Sequence, residues 1–163
     1  MFLTVHGTAG ALVGALAPDP ISAFALGVLS HAVLDIIPHG DEALGPQCTG
    51  PACTHREEVR FMLRLAIIDA ILMTGVLAFV FTPWRAMPTL PTLFGLLGGV
   101  IPDVLQGLGA AFPRIRPLAR FKDFHDVVHT RIIPYDPPFR IGFCVQIVTL
   151  VAIVLLTRAY VIS

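Results

Sequence analysis

Apolar residues in this chain run on without the two-residue alternation of a half-buried strand, and only short clusters of Pro, Gly and charge interrupt them. Five such runs predict five helices, over residues 2–17, 21–37, 59–82, 93–112 and 141–162. The first run is ~15 residues long, or about 22 Å as a helix, short of a hydrocarbon core of ~30 Å. That length suits a thinned bilayer or one arm of a re-entrant hairpin. Gly7, Gly10 and Gly14 recur at helical steps and permit close contact with another helix. Ala17-Pro18-Asp19-Pro20 reads as a tight turn, Pro38 ends the second run, and Pro102 is expected to break or kink the fourth beside Gly98-Gly99. A sixth helix is predicted over 118–129. There Leu118, Phe121, His125, Val128 and His129 fall to one side and Arg120, Lys122 and Asp123 elsewhere, the pattern of a helix lying at a membrane surface. The expected fold is all-α: a polytopic helical membrane protein with a single membrane domain over 1–163, five apolar helices and one interfacial amphipathic helix.

The polar positions within this pattern are few and unusual. The second run closes on Ser30-His31-Ala32-Val33-Leu34-Asp35-Ile36-Ile37-Pro38-His39-Gly40-Asp41. His31, Asp35 and His39 are spaced i, i+4 and i+8, so a continuous helix would stack them on one face. Such a stripe is either a satisfied hydrogen-bond network or a metal site. Asp69 and Asp103 lie inside apolar runs, where a carboxylate costs ~2.5–3.5 kcal/mol on insertion scales and calls for a partner or a function. Asp103 follows Pro102, where a new half-helix N-terminus would favour an anion without any metal.

Composition agrees with the membrane reading. The mean hydropathy is +0.80, and charged residues make up 13% of the chain against ~25% in soluble domains. A formal net charge of zero gives a nucleic-acid partner no electrostatic support. Cys48, Cys53 and Cys144 are too few for a disulfide framework, although Cys48 and Cys53 share a loop and can pair or bind metal there. No basic region precedes the first run, so no cleavable leader is expected.

Residues 113–140 hold six basic residues, Arg114, Arg116, Arg120, Lys122, Arg131 and Arg140, which argues for the cytoplasmic side. Counting back through the runs puts the N-terminus and the loop 39–58 on the same side. His6, His31, Asp35, His39, His125, Asp126 and His129 then all reach the inner half of the bundle. Asp69 and Asp103 enter it from about 15 Å and 14 Å along their runs. This convergence depends only on the number of segments. The basic stretch itself serves as a topology determinant and an anchor for anionic lipid.

Imidazole nitrogen with carboxylate oxygen is ligand chemistry for zinc foremost, and for manganese or iron. His31, Asp35, His39, His125 and His129 are the expected metal ligands, with Asp103 or His6 completing the set. Asp69 or Asp41 is the expected general base, or the group that orients a ligand histidine. His125-Asp126-Val127-Val128-His129 is one methylene away from a His-Glu-x-x-His zinc motif. His55, in an acidic loop, is expected to be solvated.

The order of these pieces resembles a family of small bacterial membrane proteins loosely grouped with membrane-bound metal-dependent hydrolases. Thr4-Val5-His6 to Gly10 is similar to that family's opening histidine and glycine. Ser30 to Asp41 resembles its Ser-His-x-x-Leu-Asp-x-x-Pro-His-x-Asp signature. Ile68-Asp69-Ala70, Ile101-Pro102-Asp103-Val104 and Phe124-His125 to His129 resemble its middle acidic position, its Pro-Asp element and its late histidine pair. Gly40 stands where a bulky aromatic is usual, and Gln106 where an acid is usual. A His-Arg-Gly-x-x-His-Ser block of the better-known hydrolases in that group has no counterpart here.

The resemblance implies a protein of a bacterial inner membrane that contacts the lipid bilayer. Together with the residues it leads to an expected metal-dependent hydrolase acting on an ester or phosphoester of a lipid-linked substrate, with no nucleic-acid partner and an open oligomeric state. The same residues would also suit a small metal or proton transporter, or an assembly protein whose buried polar network only fixes helix packing.

Overall fold

The computed structural model describes residues 1–40, 54–81, 88–131, 133, 135 and 137–162, with backbone alone for 129–131 and 162. The described residues are helical and contain no strand. Six α-helices follow one another: α1 Leu3–Ala15, α2 Pro20–Asp35, α3 His55–Phe81, α4 Leu90–Ala111, α5 Arg116–Arg131 and α6 Phe139–Thr157, the last continuing into a π-helical turn, Arg158–Ile162.

The helix starts follow local chemistry. Asp19 caps α2 by accepting from the backbone N–H groups of Ile21 and Ser22 at 2.9 and 3.0 Å, with Pro20 at the first helical position. Thr54 and Glu57 form a reciprocal box before α3. The Glu57 N–H bonds the Thr54 carbonyl, and the Thr54 N–H donates to Glu57 Oε2 at 2.9 Å. Thr89 caps α4. Helices α1 and α6 begin without a side-chain cap: Phe2 and Pro138 occupy their cap positions and offer no side-chain hydrogen bond.

Among the described residues three helices have the length and composition to cross a membrane, His55–Phe81, Leu90–Ala111 and Phe139–Val161, and α1 and α2 are shorter apolar helices. At 13 and 16 residues, α1 and α2 reach only about 20 and 24 Å. They form a hairpin wrapped on α4. Contacts run Gly14 to Pro91, Gly10 to Gly95 and His6 to Gly99 along α1, and Phe24 to Gly98 and Gly27 to Gly95 and Gly99 along α2. Helix α1 is thus antiparallel to α4, and α2 parallel to it.

Glycine makes this seam possible. A Cβ at Gly10, Gly27, Gly95 or Gly98 would fall on backbone of the facing helix. With no water to expel in lipid, such close backbone contact carries the association. The hairpin also supports α4 at Pro102, which is buried within one uninterrupted helix. The expected break at Pro102 is therefore absent, and Asp103 sits in the body of a helix rather than at a half-helix N-terminus.

The remaining helices pack on this core. Met73 of α3 lies against Gly7 of α1. Met1, Val5 and Ala9 form a small apolar cluster with Ile153 of α6. Helix α5 packs against the bundle. It runs back along the C-terminal half of α4, with the Leu118 carbonyl against Gly109 and the Gln106 Nε2 donating to Asp126 Oδ1 at 2.9 Å. The α5 residues against α4 include Leu118, Lys122 and Asp126, while Phe124 and Val127 remain exposed.

Candidate metal centre

Four side chains from three helices converge where the hairpin ends meet α4. They are His6 of α1, His31 and Asp35 of α2, and Asp103 of α4, and one nitrogen or oxygen from each lies within 4.8 Å of all the others. The depth is set by the glycine seam. Asp103 is about 12 Å before the end of α4 at Ala111. His6, His31 and Asp35 are 0, 2 and 4% exposed, whereas the Asp103 side chain is 19% exposed and marks the open side.

The contacts are short and cross-linked. Asp35 Oδ1 lies 3.0 Å from His6 Nε2, and Asp35 Oδ2 lies 2.9 Å from His31 Nε2. Asp103 Oδ1 is 3.8 Å from His31 Nε2, and its Oδ2 is 4.0 Å from His6 Nε2. Helix α5 adds a fifth group. The buried His125 places Nε2 3.0 Å from His31 Nε2, 3.4 Å from Asp35 Oδ2 and 3.7 Å from Asp103 Oδ1. Around a divalent ion with bonds of about 2.0–2.1 Å, neighbouring ligand atoms stand roughly 3.0–3.4 Å apart, the upper value for a tetrahedron. The shorter distances here match such edges, and the longer ones lie within an ångström of them.

Hydrogen bonding supports the same reading. His31 Nδ1 lies 2.9 Å from the Gly99 carbonyl, which can only accept, so the proton sits on Nδ1. His31 Nε2 then turns a lone pair toward a carboxylate oxygen, a contact that a cation or a proton between them would relieve. His6 is fully buried, its Nδ1 has no hydrogen-bond partner among the described residues, and its Nε2 meets Asp35 without hydrogen-bond alignment. Leaving such an atom unsatisfied costs about 1–3 kcal/mol. A metal ion bound at Nε2 would remove that penalty there. The donor set fits a divalent ion, and this buried group can hold one.

The other expected site residues fall elsewhere. His39 is not on the helical stripe. Helix α2 ends at Asp35, because Pro38 disfavours helical backbone at Ile37, and His39 lies past the cap. It is nevertheless buried nearby. Its Nδ1 faces the Ile37 carbonyl at 2.6 Å and its Nε2 faces the Met1 amine at 2.7 Å, and that amine also lies 3.1 Å from Asp35 Oδ1. Asp69 of α3 does not join the group, for it faces the first turn of α1 and accepts from Thr4. Asp41, the Cys48 and Cys53 loop and the His129 side chain lie outside the described residues.

Three supports were not assigned from sequence. The Gly99 carbonyl fixes the His31 tautomer. Gln146 of α6, buried, donates to the His39 carbonyl at 3.1 Å and accepts from the Phe2 N–H at 2.9 Å. As the one amide in the last apolar run, it was the available signal. Asp126 holds α5 to α4 through Gln106, with Lys122 on its other oxygen. Partial burial works against the Asp126 carboxylate, but the hydrogen bonds from Lys122 and Gln106 outweigh it and hold the group below the usual carboxylate range.

No family model, no curated protein and no solved structure matches this chain.

Proposed function

We propose that the chain is a membrane-embedded metal-dependent hydrolase, acting on an ester or phosphoester of a lipid-linked substrate at the inner surface of a bacterial membrane. The carrying observation is the convergence of His6, His31, Asp35, Asp103 and His125, with imidazole Nε2 atoms turned toward carboxylate oxygens. Its likeness to membrane-bound metal-dependent hydrolases points the same way. Zinc suits this donor set best, with manganese and iron as alternatives.

A divalent ion held here would supply Lewis acidity and a nucleophilic water near neutral pH. His6, His31 and Asp35 form the closed wall that holds it. The Gly99 carbonyl keeps the His31 Nε2 lone pair available. Asp103 lies on the side from which a substrate arrives. The basic residues around α5 support a phosphate-bearing substrate and a cytoplasmic position for this face.

The geometry that favours an ion also admits a proton shared among His31, Asp35 and His125, which would make the group a structural network. Transport is less well supported. Beyond the site, α1, α2 and α4 close backbone to backbone at Gly10, Gly27 and Gly95. Metal analysis of the purified protein, paired with hydrolysis of lipid phosphoesters and carboxylic esters, separates these readings. Stoichiometric metal in the native protein and its loss in His31→Ala are the expected results. A folded native protein that binds no added zinc, manganese or iron would leave only the structural network.

A further inference from the structure

Helix α1 carries His6, the most buried ligand in the group, yet it begins without a side-chain cap of its own. The first N–H groups of a helix have no partner within it, and in a low-dielectric interior each must find one. Two other helices meet this need. Asp69 of α3 faces the Thr4 N–H with both carboxylate oxygens, at 3.3 and 3.4 Å, and accepts a short hydrogen bond from Thr4 Oγ1. Gln146 of α6 accepts the Phe2 N–H at 2.9 Å through Oε1. Neither helix brings a ligand to the centre.

From this geometry we infer that Asp69 and Gln146 are positioning residues: they cap α1 from outside and fix the depth and rotation at which His6 meets Asp35. The inference rests on the metal-site reading and assigns Asp69 a role other than general base. Its position requires this. Asp69 lies about 21 Å along α3 from His55, so the first turn of α1 starts deep beside a lipid-exposed helix. A carboxylate at that depth stays in place because it satisfies the opening turn of α1 and meets the positive end of its dipole. Gln146 adds a second constraint. By donating to the His39 carbonyl while accepting from Phe2, it ties the start of α1 to the chain just past α2. The two elements that carry His6 and Asp35 are thereby held in one register.

The test is zinc affinity of the detergent-purified full chain, measured by competition with a chromophoric chelator and needing no substrate. Asp69→Asn keeps an oxygen for the Thr4 N–H and should bind zinc close to native strength. Asp69→Leu keeps the volume and loses the cap, and should bind roughly 10–100-fold more weakly, the range for removal of an outer partner of a ligand. Gln146→Leu should fall in the same range, and Gln146→Glu, which retains the acceptor, less far. Circular dichroism establishes that each variant is folded, and an unfolded Asp69→Leu leaves the Gln146 pair to decide. Native affinity in both leucine variants overturns the inference, as does a loss in Asp69→Asn equal to that in Asp69→Leu. A native protein that binds no zinc overturns the metal-site reading instead.

Discussion

His31 Nε2 and His125 Nε2 face each other at 3.0 Å across 94 residues of sequence. The contact joins α2, part of the glycine-packed core, to α5, which is held mainly by α4. Among the described residues it makes His125 a close neighbour of the centre that comes from outside that core. Replacing it should therefore weaken metal binding without unfolding the hairpin. His125→Ala is expected to lower zinc affinity at least as much as the roughly 10–100-fold typical of an outer-partner loss. His55→Ala, at the exposed start of α3, should leave affinity unchanged. Chelation of the native protein should lower its melting temperature in proportion to the logarithm of free metal removed. The same chelator should move His125→Ala less.

The glycine seam gives a second expectation. A Cβ on Gly99 would meet the His6 carbonyl at 2.5 Å, backbone that cannot rotate away, whereas one on Gly107 would meet nothing within 4 Å. Gly99→Ala should cost about 1–3 kcal/mol through overpacking, and it should also weaken metal binding because Gly99 bonds His31. Gly107→Ala should be neutral or stabilising by up to about 1 kcal/mol, since alanine is the better helix former. Thermal unfolding in detergent, followed by circular dichroism, measures both.

Much of the centre could be read along the chain because helical spacing brings His31 and Asp35 together within one element. Asp103 and His125 stood out as polar positions in apolar or amphipathic runs, and counting segments put them on the same side. What spacing could not supply was where each helix stops and how deep it sits. The i+8 extension to His39 fails because Pro38 ends the helix early. The contact of Asp69 with Thr4 was not legible, because nothing local says that α1 starts beside the middle of α3. The uninterrupted α4 depends on support from α1 and α2 around Pro102. The role of the Gly99 carbonyl is a backbone property invisible in residue identity.

Acid should act on the hairpin turn. Hydrogen bonds from Ser22, backbone first and then side chain, with a further one from the Ile21 N–H, hold the Asp19 carboxyl below the usual carboxylate range. A group depressed in the folded state contributes stability that is complete above its unfolded value of about 3.9. That contribution disappears as pH falls through the lower folded value. The start of α2 should thus loosen only in strong acid, seen as faster hydrogen exchange at Ile21 and Ser22. Asp19→Asn keeps a good cap and removes the titration, so its exchange there should be flat over the same range. An unchanged acid response in Asp19→Asn would assign the effect to another carboxylate.

The contact between Gln106 and Asp126 depends on position 106 being an amide rather than an acid. Gln106 Nε2 donates to Asp126 Oδ1 at 2.9 Å, and Lys122 serves the other oxygen. A glutamate at 106 would set two carboxylates at hydrogen-bond distance with one ammonium to share. Like charges so close raise the pKa of one of them, and the pair is stable only when it holds a proton. Gln106→Glu should therefore release α5 from α4 at neutral pH. The release should reverse as pH falls and the shared proton returns, because a raised pKa contributes its stability on the acid side. Hydrogen exchange across residues 116–128 reads the release directly. Zinc affinity at neutral pH should fall with it, since α5 carries His125. Combining Gln106→Glu with Asp126→Gln exchanges donor and acceptor and should restore both the exchange protection and the affinity at neutral pH. If the double variant is as loose as Gln106→Glu alone, the hydrogen bond between these two side chains is not what docks α5.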